Sequence, residues 1–301
     1  MRTHMSVAIA SAAVAAALVV PAIAVADTPT AVTEHTTAAT DKDKDKDKRK
    51  KKLSVIGLTK DQKLVKFDVK KPSKLWSLGK VSGLSGDDTK LVGIDFRVQN
   101  GKLYGVGDGG GIYTLNTDNA QATKVSELTV DLEGTWFGVD FNPAANRLRV
   151  ISDTGQNLRH NIDDPAAPLG TTEDGDLTNL MPPGTALGVT GAAYTNNDLN
   201  PATATTLFDI DTTNDRVSVQ SPANAGNLAP TGSLGVDAGL NAGFDIYYNS
   251  KAGKNLGFAA LKTNGSYGFY KVSLLTGRAT SLGAFPKDWQ VTDVALPLNQ
   301  R

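Results

Sequence analysis

Three aspartates recur in one local setting, a Gly-x-Asp inside a short apolar run: Asp95 in LVGIDF, Asp140 in WFGVDF and Asp245 in AGFDIYY. Carboxylates repeated at one place in successive units can converge, and several oxygen ligands together suit Ca²⁺ or the donors of a polar ligand. The structural alternative is that each accepts backbone N–H groups or pairs with an arginine, because a buried carboxylate has to be satisfied. A second constellation is FGVDFNPAANRLRVISDTGQNLRHN, from Phe137 to Asn161. Arg147 and Arg149 stand two residues apart and share one face of a strand, and Arg159 follows on the next strand. Clustered guanidinium groups bind carboxylate, sulfate or phosphate through paired hydrogen bonds. Here the alternative is ion pairing with Asp140, Asp153 or Asp163, with Gln156 and Asn157 tying the intervening turn. These six residues, Asp95, Asp140, Asp245, Arg147, Arg149 and Arg159, are the candidate ligand-binding set.

Other chemistries lack their residues. The chain has no cysteine, which excludes thiol catalysis, cysteine-ligated zinc and a lipoprotein anchor. Of three histidines, His4 and His35 lie near the N-terminus. A Ser-His-Asp triad would need His160, whose neighbours NLRHNID read as ordinary strand alternation. The clusters DIDTTND, EDGDL and TNNDLN lack the spacing and distal glutamate of an EF-hand, and read as turns. GDGGG, from Gly107, lacks the Gly-Lys-Ser/Thr ending of a phosphate loop and reads as a hairpin. No catalytic residue and no organic cofactor is implied; Ca²⁺ is the one ion the aspartates suggest.

The elements that must position these side chains repeat. With Gly93, Gly138, Gly191, Gly243 and Asp293 as equivalents, the steps are 45, 53, 52 and 50 residues, the period of a four-stranded propeller blade. Each full period divides into four short β-branched and apolar segments separated by Gly, Asn, Asp and Pro. The first period starts at Leu53 without its innermost strand, and the chain ends on QVTDVALPL, which aligns with GVTGAAY and has nothing after it. A C-terminal strand completing the N-terminal blade closes the ring and leaves no open edge. The fold expected is an all-β propeller of five four-stranded blades; a sixth blade would need extra strands in the long segment from Asp163 to Leu187.

Residues 1–26 read as a signal peptide, with Arg2 and His4 before an apolar run and Ala24-Val25-Ala26 as a cleavage pattern. Cleavage there leaves 275 residues and no transmembrane segment. Residues 27–52 form a Thr/Ala-rich then Lys/Asp-rich linker, ending DKDKDKDKRKKK, that cannot bury enough apolar area to order itself. It reads as a solvated spacer, or as a basic tether to anionic wall polymer or lipid. Residues 53–301 make the propeller-like domain. They carry 22 basic against 25 acidic residues, which argues against nucleic acid as a partner. A secreted, monomeric protein is expected, extracellular or associated with the cell wall.

The runs NP…RLR…SDTGQNLR and QSP…GSLG, with LVGIDFRVQNGKLYGVGDGGGIYTLN before them, resemble the bacterial secreted family known as domain of unknown function 4394. The resemblance extends from about Leu53 to Pro297. It implies export and an all-β repeat architecture and brings no activity or site residues. The functional expectation is a non-enzymatic binding or scaffold module for a small molecule, glycan or cell-wall ligand. The alternative is an extracellular hydrolase using the axial carboxylates and a divalent cation in the central channel.

Overall fold

The computed structural model describes residues 52–300; the expected signal peptide and the linker up to residue 51 lie outside them. Among the described residues the chain builds five sheets in sequence order, antiparallel throughout except for one parallel pair in the fourth. The first holds β1 (Ser54–Thr59), β2 (Lys63–Asp68) and β3 (Lys71–Lys80). The second is β4 (Leu91–Phe96), β5 (Leu103–Gly107), β6 (Gly111–Leu115) and β7 (Ala122–Glu127), and the third β8 (Phe137–Asn142), β9 (Arg147–Ser152), β10 (Asn157–Asn161) and β11 (Gly170–Glu173). Next come two short strands, β12 (Thr178–Leu180) and β13 (Pro183–Thr185), and then the fourth blade proper: β14 (Val189–Tyr194), β15 (Leu207–Asp211), β16 (Arg216–Gln220) and β17 (Asn227–Ser233). The fifth is β18 (Ala242–Asn249), β19 (Lys254–Thr263), β20 (Ser266–Val272) and β21 (Ala279–Ala284).

The last strand, β22 (Val291–Ala295), returns to the first sheet and pairs antiparallel with β1, Gly57 opposite Val294. The ring is therefore a five-bladed propeller closed by head and tail. The long segment before Leu187 does hold extra strands, but they make no sixth blade. β12 pairs in parallel with the outer strand β17, Thr178 opposite Asn227, and β13 follows it. The surplus length widens the fourth blade at its rim before the chain returns to the axis.

Burial follows strand position. The inner strands β5 and β14 are buried at every residue, whereas the rim strand β7 is buried only at Ala122. Strands covered on both faces need continuous small or apolar residues, and half-solvated ones alternate. Among the described residues there are five apolar clusters, each shared by two adjacent blades. The seam between blades five and one is aromatic, with Phe67 packed edge-on against Phe269 at 5.0 Å. The apolar cluster between blades three and four is the smallest, and polar side chains complete that seam.

The repeated glycine marks the place where innermost strands pass closest. A Cβ on Gly138 would lie 2.7 Å from the Ala192 nitrogen, and one on Gly243 only 2.4 Å from Asp293 Cα. Among the described residues no helix is long and apolar enough to cross a membrane.

Candidate functional site

Asp95 sits on β4, Asp140 on β8 and Asp245 on β18, all innermost strands, and the ring brings them together. One carboxylate oxygen from each lies within 4.8 Å of the others. All three residues are buried, at 3, 1 and 2% exposure respectively. Each also spans a seam between blades. Asp95 Oδ2 accepts the Phe141 N–H at 2.9 Å, Asp140 Oδ1 the Tyr194 N–H at 3.1 Å, and Asp245 Oδ2 the Leu296 N–H at 2.5 Å. In every case the donor is the residue after the equivalent position of the next blade, so the repeat itself explains the latch. Among the described residues, Asp140 Oδ2 and Asp245 Oδ1 are buried without a hydrogen-bond partner.

A fourth carboxylate joins them. Asp293, on β22, stands where the other innermost strands carry glycine, and its Oδ2 accepts the Ile94 N–H at 2.7 Å. Burial pushes its pKa up to about 8, and that of Asp245 to about 7. Asp95 is raised well above the carboxylate range by burial and then by the Asp245 charge, and Asp140 by burial and then by Asp95 and Asp245. The sequence signal for Asp293 was its departure from the glycine register. Only blade four has no acid here: it presents Ala193.

The arginines are not part of this cluster. Arg149 and Arg159 face each other across β9 and β10 and converge on Asp174, at 2.7 Å from Arg149 Nη1 and 3.1 Å from Arg159 Nη2. Arg149 is 2% exposed and also donates to Asn157 Oδ1 at 2.7 Å, Asn224 Oδ1 at 2.8 Å and the Tyr194 hydroxyl at 3.3 Å. Arg147 stands apart, paired with Asp164 at 2.9 Å. The ion-pair partners are thus Asp174 and Asp164, on the stretch after β10. Of those expected from sequence, Asp153 takes the Thr135 and Trp136 N–H groups and Asp163 pairs with the buried Arg97. Tyr194 joins the two sites, its N–H on Asp140 and its hydroxyl on Arg149.

Two further groups have environments that the sequence does not show: Asp209, which opens DIDTTND and lies on a strand rather than in a turn, and His160, which sits in a strand as expected. Asp209, on β15, is fully buried and among the described residues neither of its oxygens has a partner, nor does Ser218 Oγ across the strand pair. Burial raises its pKa well above the usual range. His160 lies between Ser126 Oγ and Thr171 Oγ1, each at 2.9 Å, and burial lowers it to about 4. With hydroxyls on both ring nitrogens and no carboxylate, it makes no triad.

One mouth of the axis carries a cleft of about 500 Å³ among Lys60, Trp136, Asn241, Lys262, Tyr267 and Thr292. A smaller one of about 200 Å³ shares Lys60, Trp136, Asn241 and Thr292 and extends to Lys90 and Gln62. These residues come from the ends of β1, β2, β4, β8, β18, β19, β20 and β22, which meet here only because the blades are radial.

No curated protein is a significant match. Among solved structures, the chain is similar to hydrazine synthase of Kuenenia stuttgartiensis, 13% identical, with a TM-score of 0.36 over 67% of this chain and 51% of that one. An auxiliary nutrient binding protein from Bacteroides ovatus is 10% identical, TM-score 0.38, over 73% and 51%. A protein of unknown function from Bacteroides thetaiotaomicron is 11% identical, TM-score 0.43, over 83% and 68%. The chain spans about half the length of the first two. The model of one family matches residues 63–295, the span of the repeat and of the motifs that suggested it, and the chain belongs to that family, Domain of unknown function (DUF4394).

Proposed function

We propose that this propeller is a non-enzymatic binding module, acting at or outside the cell envelope, that holds an acidic, polyhydroxylated small molecule or glycan at its axial mouth. The observation that carries the reading is the cleft shared by Lys60, Trp136, Asn241, Lys262 and Tyr267. Concave sites with aromatic walls and a few convergent polar groups are where small ligands bind. The apolar face of the half-buried Trp136 suits the C–H face of a sugar ring, while Tyr267, buried beneath, accepts from the Asn241 amide at 3.3 Å and leaves the Asn241 carbonyl and the Trp136 ring N–H for the sugar's hydroxyls. Three lysines, Lys60, Lys90 and Lys262, line the two clefts against one acid, Asp237, and none of the three takes part in an ion pair among the described residues, so the balance of charge is free to meet a carboxylate or sulfate.

A hydrolase would need its carboxylates at the substrate. Asp95, Asp140 and Asp245 are at most 3% exposed, and each holds a seam, so the geometry favours binding over hydrolysis. The test is an array of neutral and acidic glycans, including uronic-acid polymers, followed by titration with Trp136→Ala and Lys262→Ala. Binding to acidic glycans should weaken at least about tenfold in each variant, the loss of about 1.4 kcal/mol, with unchanged melting. An array without acidic hits, or affinity indifferent to both variants, would refute the mouth as the site.

A further inference from the structure

We infer that Asp95, Asp140 and Asp245 form an all-oxygen site for one Ca²⁺ ion on the propeller axis, where it locks three blades together. Three carboxylates from three blades bring an oxygen each within 4.8 Å of one another. No cation pairs with any of them among the described residues. Backbone N–H groups satisfy one oxygen of each, and for two of the three the protein's own donors stop there: among the described residues Asp140 Oδ2 and Asp245 Oδ1 are left buried and bare. An uncompensated buried carboxylate is among the most costly groups a fold can hold. Something from solution must neutralise the trio.

The donor set identifies that something. Oxygen-only ligands select a hard cation. A triangle with edges no longer than 4.8 Å has a centre no more than about 2.8 Å from its corners, a few tenths beyond the 2.3–2.6 Å of Ca²⁺–oxygen bonds. Ca²⁺ accepts irregular geometry, whereas Mg²⁺ demands a near-ideal octahedron at about 2.0–2.1 Å. Carboxylates pinned by latches to three separate seams cannot rearrange to that. The ion is structural in this position, because its ligands are buried and it bridges β4, β8 and β18. It is independent of the mouth cleft, whose test uses other residues.

The experiment strips the protein with EDTA, dialyses it into metal-free buffer at pH 7.5, and measures both Ca²⁺ retained per chain and the melting temperature with and without Ca²⁺. One ion per chain is expected, with a rise of roughly 5–10 °C at a hundredfold excess over Kd. Asp140→Asn and Asp245→Asn keep a carbonyl oxygen for the seam N–H but remove charge. Each should lose the ion and the Ca²⁺ response, yet melt no lower than calcium-free wild type, since like-charge repulsion is relieved. Wild-type protein that retains no Ca²⁺ and melts identically in both buffers would overturn the inference, leaving protons as the neutralising agent. So would Ca²⁺ binding that survives both substitutions. The wild-type stoichiometry decides even if a variant fails to fold.

Discussion

Replacing Arg149 with alanine separates the two chemistries that its sequence context allows, recognition of an anionic ligand and support of the fold. The guanidinium is 2% exposed and touches Asp174, Asn157, Asn224 and Tyr194. Breaking a buried ion pair by removing one partner typically costs about 3–5 kcal/mol. Here the cost is moderated, because Asp174 keeps Arg159, Asn157 Oδ1 keeps Gln220 at 3.3 Å, and Asn224 is exposed enough for water to replace the lost donor. Against that, Asp209 loses Arg149, the cation that offsets its burial, and the stem of the side chain leaves a void in the seam with the smallest apolar cluster. The expected loss is about 3 kcal/mol, a fall in melting temperature of roughly 6–12 °C for a chain of this size. Urea unfolding supplies the free energy directly. Arg149→Lys, which keeps the charge but not the fork, should lose less. Arg147→Ala, at a more solvated pair, should lose no more than about 1 kcal/mol. Stability within 1 kcal/mol of wild type for Arg149→Ala, or a stable variant that no longer binds ligand, would refute the assignment of Arg149 to the seam.

Two other perturbations follow from the same coordinates. His160 is neutral when folded, with a pKa of about 4 against 6.5 in the unfolded chain, so the unfolded state binds the extra proton between those values and stability falls as pH drops through that window. The amount is about 3 kcal/mol; urea midpoints at pH 7 and pH 4 should differ less in His160→Asn than in wild type, and parallel behaviour would contradict the linkage. Gly243→Ala puts a methyl group 2.4 Å from Asp293 Cα and 2.7 Å from the Thr292 carbonyl, both backbone of the closing strand, and should cost about 3 kcal/mol or open the ring. Gly101→Ala, with a φ of +67° but nothing within 4 Å, isolates the backbone penalty alone at about 1 kcal/mol; equal melting of the two would argue against close strand passage at the axis.

Much of the architecture is local and so was readable in the order of residues. Strand and turn signals alternate at a fixed period, and the missing innermost strand at Leu53 matches the surplus one at Gln290; both are properties of short segments. The extra strands before Leu187 were harder to place. β12 pairs with β17, about fifty residues later, and no local pattern announces a parallel partner. The aspartates were findable because a repeat puts equivalent residues at equivalent radii. Asp293 was hidden by the same logic, since it occupies the glycine register.

The sequence by itself determined a closed ring of four-stranded blades with carboxylates at matching positions, because strand, turn and repeat are written in neighbouring residues; that the blades number five and not six was decided by where β12 and β13 pair. Tertiary structure decided which side chains meet. Asp174, in the EDGDL run that reads only as a turn, became the shared anion of Arg149 and Arg159. Lys60, Trp136, Asn241 and Lys262, from blades one, three and five, became one cleft. Closing a ring brings residues together by angle around an axis, and that proximity is set by how the blades pack rather than by distance along the chain.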